Sequence, residues 1–307
     1  MKSGSVLFGS VVAALLAAPA GAVVVGPGGG GGTSGVVCGG TTGLPGVAAP
    51  YSVLIVGAGN YVSQNTDVRA SLAVGGNATL TNYFVAESVV GDLTAAVNPA
   101  ALVVGGLLTA SNGSVGKSGG TTSHYGTIYT NTTPVLSNFD AKGGTVAKSV
   151  LDFNAAATYY TSLSSSLGAL AATGTVTHTN STLTFTGAQT DINIFTIDAA
   201  TLAATNRVTV SVPSGSATLI NVTGSAATLQ NGSVSETGAA ATTVLYNFYQ
   251  ATSLTLPGSM NPRGSLLAPY AAVTGGYGQV DGQLVAASYN ANLEFELEPF
   301  GCTLPGT

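Results

Sequence analysis

Short apolar runs separated by turn residues recur along the chain. The segments 72–80 and 102–110 show this most clearly, because each has an apolar run, a Gly-Gly pair and a second short run. Strands this short cannot bury a hydrophobic face alone, so they need neighbours stacked above and below them. The pattern therefore predicts a mainly β chain that is built from stacked coils.

Further runs rich in Val, Ile, Leu and Thr follow one another, with Gly, Ser, Asn or Pro between them. None of the predicted strands is long. Asn-Gly pairs at Asn112 and Asn231 supply turns with positive φ. The predicted strands are 53–56, 71–74, 101–104, 182–186, 192–197, 208–212, 218–222, 244–248, 253–256, 265–267, 283–286 and 293–297.

Residues 149–172 have the period of a helix instead. Tyr160, Leu163, Leu167 and Leu170 are spaced by three or four residues, and the segment contains no proline. We expect one amphipathic helix whose apolar stripe packs along one side of the β body.

The two ends of the chain differ in composition from the middle. Residues 1–22 have the features of a secretory signal peptide, with Lys2 before a short apolar core and small residues at the cleavage site. Residues 23–50 are predicted to form a flexible glycine-rich linker, 51–300 the folded domain and 301–307 a C-terminal tail. No stretch after the signal peptide is long and apolar enough for a transmembrane segment. We expect a secreted, extracellular protein, with association to the cell wall as a further option.

The two cysteines lie outside the predicted domain, Cys38 in the linker and Cys302 in the tail. In an oxidising compartment they could form a disulfide that joins the two ends. The alternative is two unpaired or intermolecular thiols.

Charge is scarce in this sequence. Only 6% of the 307 residues are charged, compared with about 25% in an ordinary globular domain. The hydrophobic share of 45% argues against disorder. The net charge of −5 is spread thinly and there is no basic patch, so nucleic acid is excluded as a partner.

The order of several blocks resembles the choice-of-anchor A family of secreted or surface-displayed adhesive domains, which is related to the ice-binding-like β-helix. The resemblance covers residues 51–300. It implies a right-handed β-helix with one long flanking α-helix and a first coil beside the last, which would bring Cys38 and Cys302 closer together. The blocks that carry it are 51–57, the two Val-Gly-Gly segments, Asp152-Phe153 with Tyr159, 219–222, Asn247-Phe248 with 251–255, and 264–269.

The chain departs from the family pattern at two places. Tyr246 stands where such domains often have Trp, and residues 304–307 match only the start of a sortase signal. Covalent attachment to a cell wall through these four residues is therefore not expected.

Two motifs suggest chemistry that their surroundings do not support. Residues 116–120 have the Gly-x-Ser-x-Gly spacing of a nucleophile elbow, with Asp140 and His178 as partners, but poor helix formers follow it. Residues 113–118 resemble a phosphate-binding loop whose glycine spacing is wrong. His124 and His178 lack metal-ligand spacing. We predict no catalytic residue, no cofactor and no metal.

Glu294, Glu296 and Glu298 alternate with apolar residues that end at Leu297. On a strand this alternation sends the apolar residues inward and the three carboxylates to one outer face. A cation site or an acid–base pair is one interpretation. We favour solvated charges on an edge strand, because carboxylates along a line do not converge.

Six Asn-x-Ser/Thr sequons are present, about as many as chance predicts. Asn77 and Asn221 are predicted to be strand-bound and less accessible. The glycosylation candidates are Asn112, Asn131, Asn180 and Asn231.

The leading hypothesis for function is a non-enzymatic structural or adhesive protein. Its weakly charged Thr/Ser/Asn-rich surface would contact cell-surface, matrix or polysaccharide surfaces. The alternative is ice binding, which needs a flat face of regularly placed Thr, and residues 175–179 and 182–186 supply that residue type. A second alternative, a carbohydrate-active β-helix enzyme, needs an acid pair that the sequence does not display.

Overall fold

The computed structural model describes residues 35–40, 43–87, 100–117, 124–230, 233–258 and 261–307. Strands predominate among them. The strands are β1 (Tyr51–Ile55), β2 (Tyr61–Val68), β3 (Ser71–Val74), β4 (Ala78–Val85), β5 (Ala100–Val104), β6 (Leu108–Lys117), β7 (His124–Tyr125), β8 (Thr127–Thr130), β9 (Val135–Asp140), β10 (Thr145–Ala147), β11 (Thr175–Thr179), β12 (Thr182–Thr186), β13 (Ile192–Asp198), β14 (Arg207–Ser211), β15 (Ala217–Thr223), β16 (Ala226–Thr228), β17 (Ser233–Thr237), β18 (Val244–Asn247), β19 (Ser253–Leu256), β20 (Ser265–Val280) and β21 (Leu284–Phe295). The helices are α1 (Phe153–Gly168) and α2 (Ala199–Ala203), and two 3₁₀ turns span Gly46–Ala48 and Ala241–Thr243.

Most strands pair in parallel, in two long ladders. The first ladder has the order β10, β8, β5, β3, β1, β21, β20, β18, β15, β13. The second has the order β9, β6, β4, β2, β21, β20, β19, β16. A separate four-stranded sheet joins β11, β12, β14 and β17. Ladders of parallel strands from successive turns of the chain are consistent with the expected β-helix.

The first coil lies beside the last one. Leu54 of β1 is in register with Ala73 of β3 on one side and with Val285 of β21 on the other. The coils that follow β1 therefore continue in one direction, as far as β10. The coils from β13 onward return from the opposite end and finish next to β1, as the family resemblance implies.

Two hydrophobic cores explain why some strands are buried on both faces and others on only one face. Val53 and Ile55 point into the core inside the coils, whereas Leu54 points into a second core between the first ladder and α1. All five residues of β1 are therefore buried. β4 alternates between buried and exposed residues, because its outer face carries no covering element among the described residues.

Helix α1 covers the first ladder. Asp152 caps its N-terminus by accepting hydrogen bonds from the amides of Asn154 (3.1 Å) and Ala155 (2.9 Å). Tyr160 and Leu167 are fully buried in the second core. The helix is shorter at both ends than the predicted span 149–172, and Leu170 lies beyond its last residue.

Both segments that flank the predicted domain contribute to the second core. Leu44 and Ala48 come from the predicted linker, and Leu304 comes from the predicted tail. The predicted disulfide between Cys38 and Cys302 is present. The predicted signal peptide and the glycine run of the linker lie outside the described residues.

A buried glutamine joins the two ends. The Oε1 atom of Gln283 accepts hydrogen bonds from the amides of Leu44 (2.7 Å) and Phe300 (3.2 Å). Its Nε2 group donates to the carbonyl oxygens of Ala48 (3.2 Å) and Tyr51 (2.8 Å). This network orders residues 44–51, which belong largely to the segment that the glycine content had marked as flexible.

The expectation that no strand is long was wrong for β20 and β21. Both continue from the first ladder into the second, with register shifts near the corner, between Ala268 and Ala272 on β20. Sequence patterns identified residues 265–267 of β20 and, as two separate strands, the ends of β21 at 283–286 and 293–297. They did not predict β2, β4, β6 and β9, most of whose outward residues are polar.

Candidate binding face

The outward side chains of the second ladder form one straight rank. Pairing register places one such residue from each of eight neighbouring strands side by side, at the strand spacing of about 4.8 Å. We call this set the threonine rank. Its members, in spatial order, are Thr228, Thr255, Thr274, Asn290, Val62, Thr79, Thr109 and Val135.

One flanking rank runs parallel to the threonine rank on each side of it. We call the three ranks together the binding face. On one side the amide of Asn77 donates to Oδ1 of Asn60 (2.8 Å), and the amide of Leu107 donates to Oδ1 of Asn77 (2.8 Å). On the other side the amide of Gln64 donates to Oδ1 of Asn292 (2.9 Å). None of the ranked side chains is charged. The flanking ranks are Ala226, Ser253, Ala272, Ser288, Asn60, Asn77 and Leu107 on the first side, and Asn292, Gln64, Thr81, Ser111 and Ser137 on the second.

Asparagines fix one edge of the face. Asn65, Asn82, Asn112 and Asn138 all have positive φ, between 47° and 56°. Asparagine tolerates this left-handed conformation better than other residues with a Cβ. Nδ2 of Asn82 donates to Oδ1 of Asn65 (2.8 Å), and Nδ2 of Asn138 donates to Oδ1 of Asn112 (2.7 Å). The coils of β2, β4, β6 and β9 therefore turn at the same place, which keeps their part of the ranks in line.

The Gly-Gly pairs form the turn before the face. A Cβ atom on Gly75 would lie 1.8 Å from the carbonyl oxygen of Gly57, and one on Gly105 would lie 2.4 Å from that of Gly75. Only glycine allows the turns of successive coils to stack this closely. The repeated Val-Gly-Gly blocks are thus explained by turn stacking.

Comparison with known families agrees with this geometry. Residues 44–297 match the family described as Putative Ice-binding-like adhesive domain, pAdhesive_15. The chain belongs to this family. No curated protein matches the sequence. The matched span of this adhesive domain includes every residue of the binding face, and it leaves out both cysteines.

No charged residue of this adhesive domain is a member of the three ranks, but Glu294 lies two residues beyond Asn292 on β21. Arg69 contacts four carboxylates: Asp67 (Nε–Oδ1, 3.3 Å), Glu87 (Nη1–Oε2, 3.3 Å), Glu296 (Nε–Oε2, 3.7 Å) and Glu294. Burial, and then the charge of Glu294, raise the pKa of Asp67 to about 6. Burial also raises the pKa of Glu296. We call these five residues the Arg69 cluster.

The structure corrects three expectations for the glutamate run. β21 is not an edge strand, because it pairs with β20 on one side and with β1 and β2 on the other. Glu294 and Glu296 converge on one arginine, which comes from a distant part of the sequence. Leu297, expected to point inward, is 49% exposed because β21 ends at Phe295.

The predicted chemical motifs are dispersed. Asp140 lies on β9 and pairs with Lys142 (3.2 Å), whereas His178 is exposed on β11, in another sheet. Residues 118–120 of the elbow motif lie outside the described residues. Within the described ranges, no group of three or more His, Cys, Asp or Glu side chains is placed to hold a metal ion. The same ranges contain no helix long and apolar enough to cross a membrane.

The sequons differ in accessibility. Asn112, Asn131 and Asn180 are exposed, and Asn231 lies outside the described residues. Asn221 is completely buried on β15, as predicted, where Nδ2 donates to the carbonyl oxygen of Leu167 (2.8 Å). The prediction for Asn77 was wrong, because this residue is exposed in the turn before β4.

The threonine runs 175–179 and 182–186, which suggested a flat face, do not lie on the binding face. Thr177 and Thr184 are paired in the four-stranded sheet, with Thr209 of β14 next in register. The longer rank on the second ladder was missed, because its members are far apart in sequence. A weak signal was available: Thr79, Thr109 and Thr255 each stand between two apolar residues at the same place in a strand.

Proposed function

We propose that this protein is a non-enzymatic adhesion protein, which uses the binding face to hold neutral, hydroxyl-rich surfaces of cells, matrix or polysaccharide. The observation that carries the proposal is the uncharged threonine rank across eight strands. Membership of an adhesive-domain family supports it. The fold that presents this face would be a right-handed β-helix with α1 along its flank.

The face suits contact by many weak hydrogen bonds. Threonine is stiff at χ1, so ordering it against a surface costs less entropy than ordering a long polar side chain. Hydroxyl and amide groups are also less costly to desolvate than charged groups. A rigid ladder presents all of them at once, which reduces the ordering cost of binding.

The protein would act outside the cell, in some cases in association with a cell wall. The disulfide between Cys38 and Cys302 supports this location, because such bonds persist in oxidising compartments. The predicted signal peptide at 1–22 points the same way.

A retention assay on intact cells and on isolated matrix polysaccharide tests adhesion. We expect the wild-type protein to be retained equally at about 0.1 M and about 1 M salt, because no charge pair has to form. The Thr79→Lys/Thr255→Lys variant should lose most of this retention. Thr177→Lys, an exposed threonine on the four-stranded sheet, is the matched control. Equal loss in both variants, or retention that salt abolishes, would contradict the proposal.

Ice binding is a second candidate, and the threonines in register on an uncharged face favour it. Inhibition of ice recrystallisation by the wild-type protein, lost in Thr79→Lys/Thr255→Lys and kept in Thr177→Lys, would establish this activity. No inhibition and no thermal hysteresis at high protein concentration would exclude it.

A further inference from the structure

One aromatic ring interrupts the polar surface beside the threonine rank. Tyr277 is 67% exposed, the highest value for a large hydrophobic side chain among the described residues. It is in register with Asn292, the first member of the second flanking rank. An exposed aromatic ring thus stands at the head of a row of amide and hydroxyl groups.

The backbone supports this ring from one side. A Cβ atom on Gly258 would lie 3.3 to 3.7 Å from three ring atoms of Tyr277, so the ring lies against the glycine. Gly275 and Gly276 precede the tyrosine, and a Cβ on Gly276 would lie 2.7 Å from the Cα of Gly258. Gly258, Gly275 and Gly276 contribute no Cβ that could cover the ring. Its large exposed fraction is therefore built into the local backbone.

The row that follows the ring has a regular spacing. Beyond Asn292 come Gln64, Thr81 and Ser111, each one strand further along the ladder. Oγ of Ser111 lies 3.4 Å from Oγ1 of Thr81. The step between strands is about 4.8 Å, close to the length that one sugar adds to an extended polysaccharide.

We propose that Tyr277 is a stacking platform for one sugar ring of a neutral, β-linked polysaccharide, whose chain continues along Asn292, Gln64, Thr81 and Ser111. The electron-rich face of an aromatic ring attracts the slightly positive C–H groups on a pyranose face. The amides and hydroxyls of the row match the hydroxyls of the following sugars. This inference rests on the proposed adhesive function and names its ligand class.

The lack of positive charge on the binding face favours a neutral polysaccharide over nucleic acid, another polymer that stacks on aromatic rings. Single-stranded nucleic acid also stacks on aromatic side chains, but its binding requires a positively charged groove. The binding face has no Lys or Arg in its three ranks. A neutral polysaccharide can stack on the same ring, and it has no phosphate groups that would need a cationic partner.

Titration with cellohexaose and chitohexaose, two neutral β-linked oligosaccharides, tests the proposal. We expect one of them to shift the ring NMR signals of Tyr277 in the full chain. Tyr277→Ala should weaken binding by about tenfold or more, the size of a lost stacking contact. Tyr277→Trp should retain binding. Tyr159→Ala, which removes another exposed tyrosine on α1, should leave affinity unchanged.

Binding of neither oligosaccharide, or an unchanged affinity in Tyr277→Ala, would overturn the proposal. Its failure is distinguishable from failure of the adhesive function. If the wild-type protein is retained on cells through the threonine rank while Tyr277→Ala is retained equally, adhesion stands and the sugar platform is wrong. Far-UV circular dichroism and thermal melting of each variant verify that the fold is intact.

Discussion

At the scale of single residues, the Arg69 cluster gathers several charged side chains in a chain that has few of them. One arginine, which follows β2, contacts four carboxylates from β2, β21 and the segments that follow β4 and β21. One positive charge cannot balance four negative charges. The raised pKa of Asp67, about 6, follows from burial and from this excess.

The cluster predicts that stability falls as pH rises through this range. The pKa of Asp67 is about 6 in the folded chain, compared with about 3.9 in an unfolded one. The folded state therefore binds the proton more tightly, and the free energy of unfolding decreases between about pH 4 and about pH 6. Glu296, whose pKa is also raised, acts in the same direction. Urea unfolding across this range measures the effect.

Asp67→Asn should flatten this dependence, because position 67 can no longer titrate. Asp140→Asn is the control, since it removes a carboxylate that pairs with Lys142 outside the cluster. Stability that rises from pH 4 to pH 6 in the wild-type protein would show that the cluster does not set the pH dependence.

At the scale of elements, the sequence predicted those strands and helices whose buried residues follow one regular pattern. β1 and β3 are continuous apolar runs, and α1 has the period of its buried stripe, so all three were predictable. β2 and β9 were not, because polar outward residues and a left-handed asparagine interrupt their alternation. Their existence depends on pairing with other coils, which a local pattern does not contain.

Helix α1 should contribute strongly to stability through its buried stripe. Leu167 is fully buried between the helix and the first ladder. We expect Leu167→Ala to lower the free energy of unfolding by about 2–5 kcal/mol, as core truncations do. Ser166→Ala, on the exposed side of the same turn, should change it by less than about 0.5 kcal/mol. Chemical denaturation of both variants compares them, and similar values would mean that α1 is not packed as described.

At the scale of the whole described domain, the proposed binding face depends on register between distant coils. Successive members of the threonine rank in the first half, Val62, Thr79, Thr109 and Val135, are 17, 30 and 26 residues apart. Unequal loops hide this rank from any fixed sequence period. Stacking brings it into line, so the site could be located only once the pairing was known.

The disulfide that joins the two ends is a second property of the whole described domain. Cys38 and Cys302 are 264 residues apart in sequence, so their disulfide constrains almost the whole unfolded chain. We expect Cys38→Ala/Cys302→Ala to lower the free energy of unfolding by about 2–5 kcal/mol. The folded structure should persist, because Gln283 still joins both ends. The reduced wild-type protein is the control and should match the variant, and no loss of stability in either would contradict the prediction.

The most direct test of the binding face is hydroxyl-radical footprinting of the protein, free and bound to a retaining surface. Val62, Val135 and Leu107 lie on the face and are 41%, 55% and 40% exposed. Val47, Val146 and Tyr159 lie outside it and are 43%, 40% and 40% exposed. We predict that binding lowers oxidation of the first three and leaves the second three unchanged. Protection of the second set alone, or no protection of the first, would contradict the central claim.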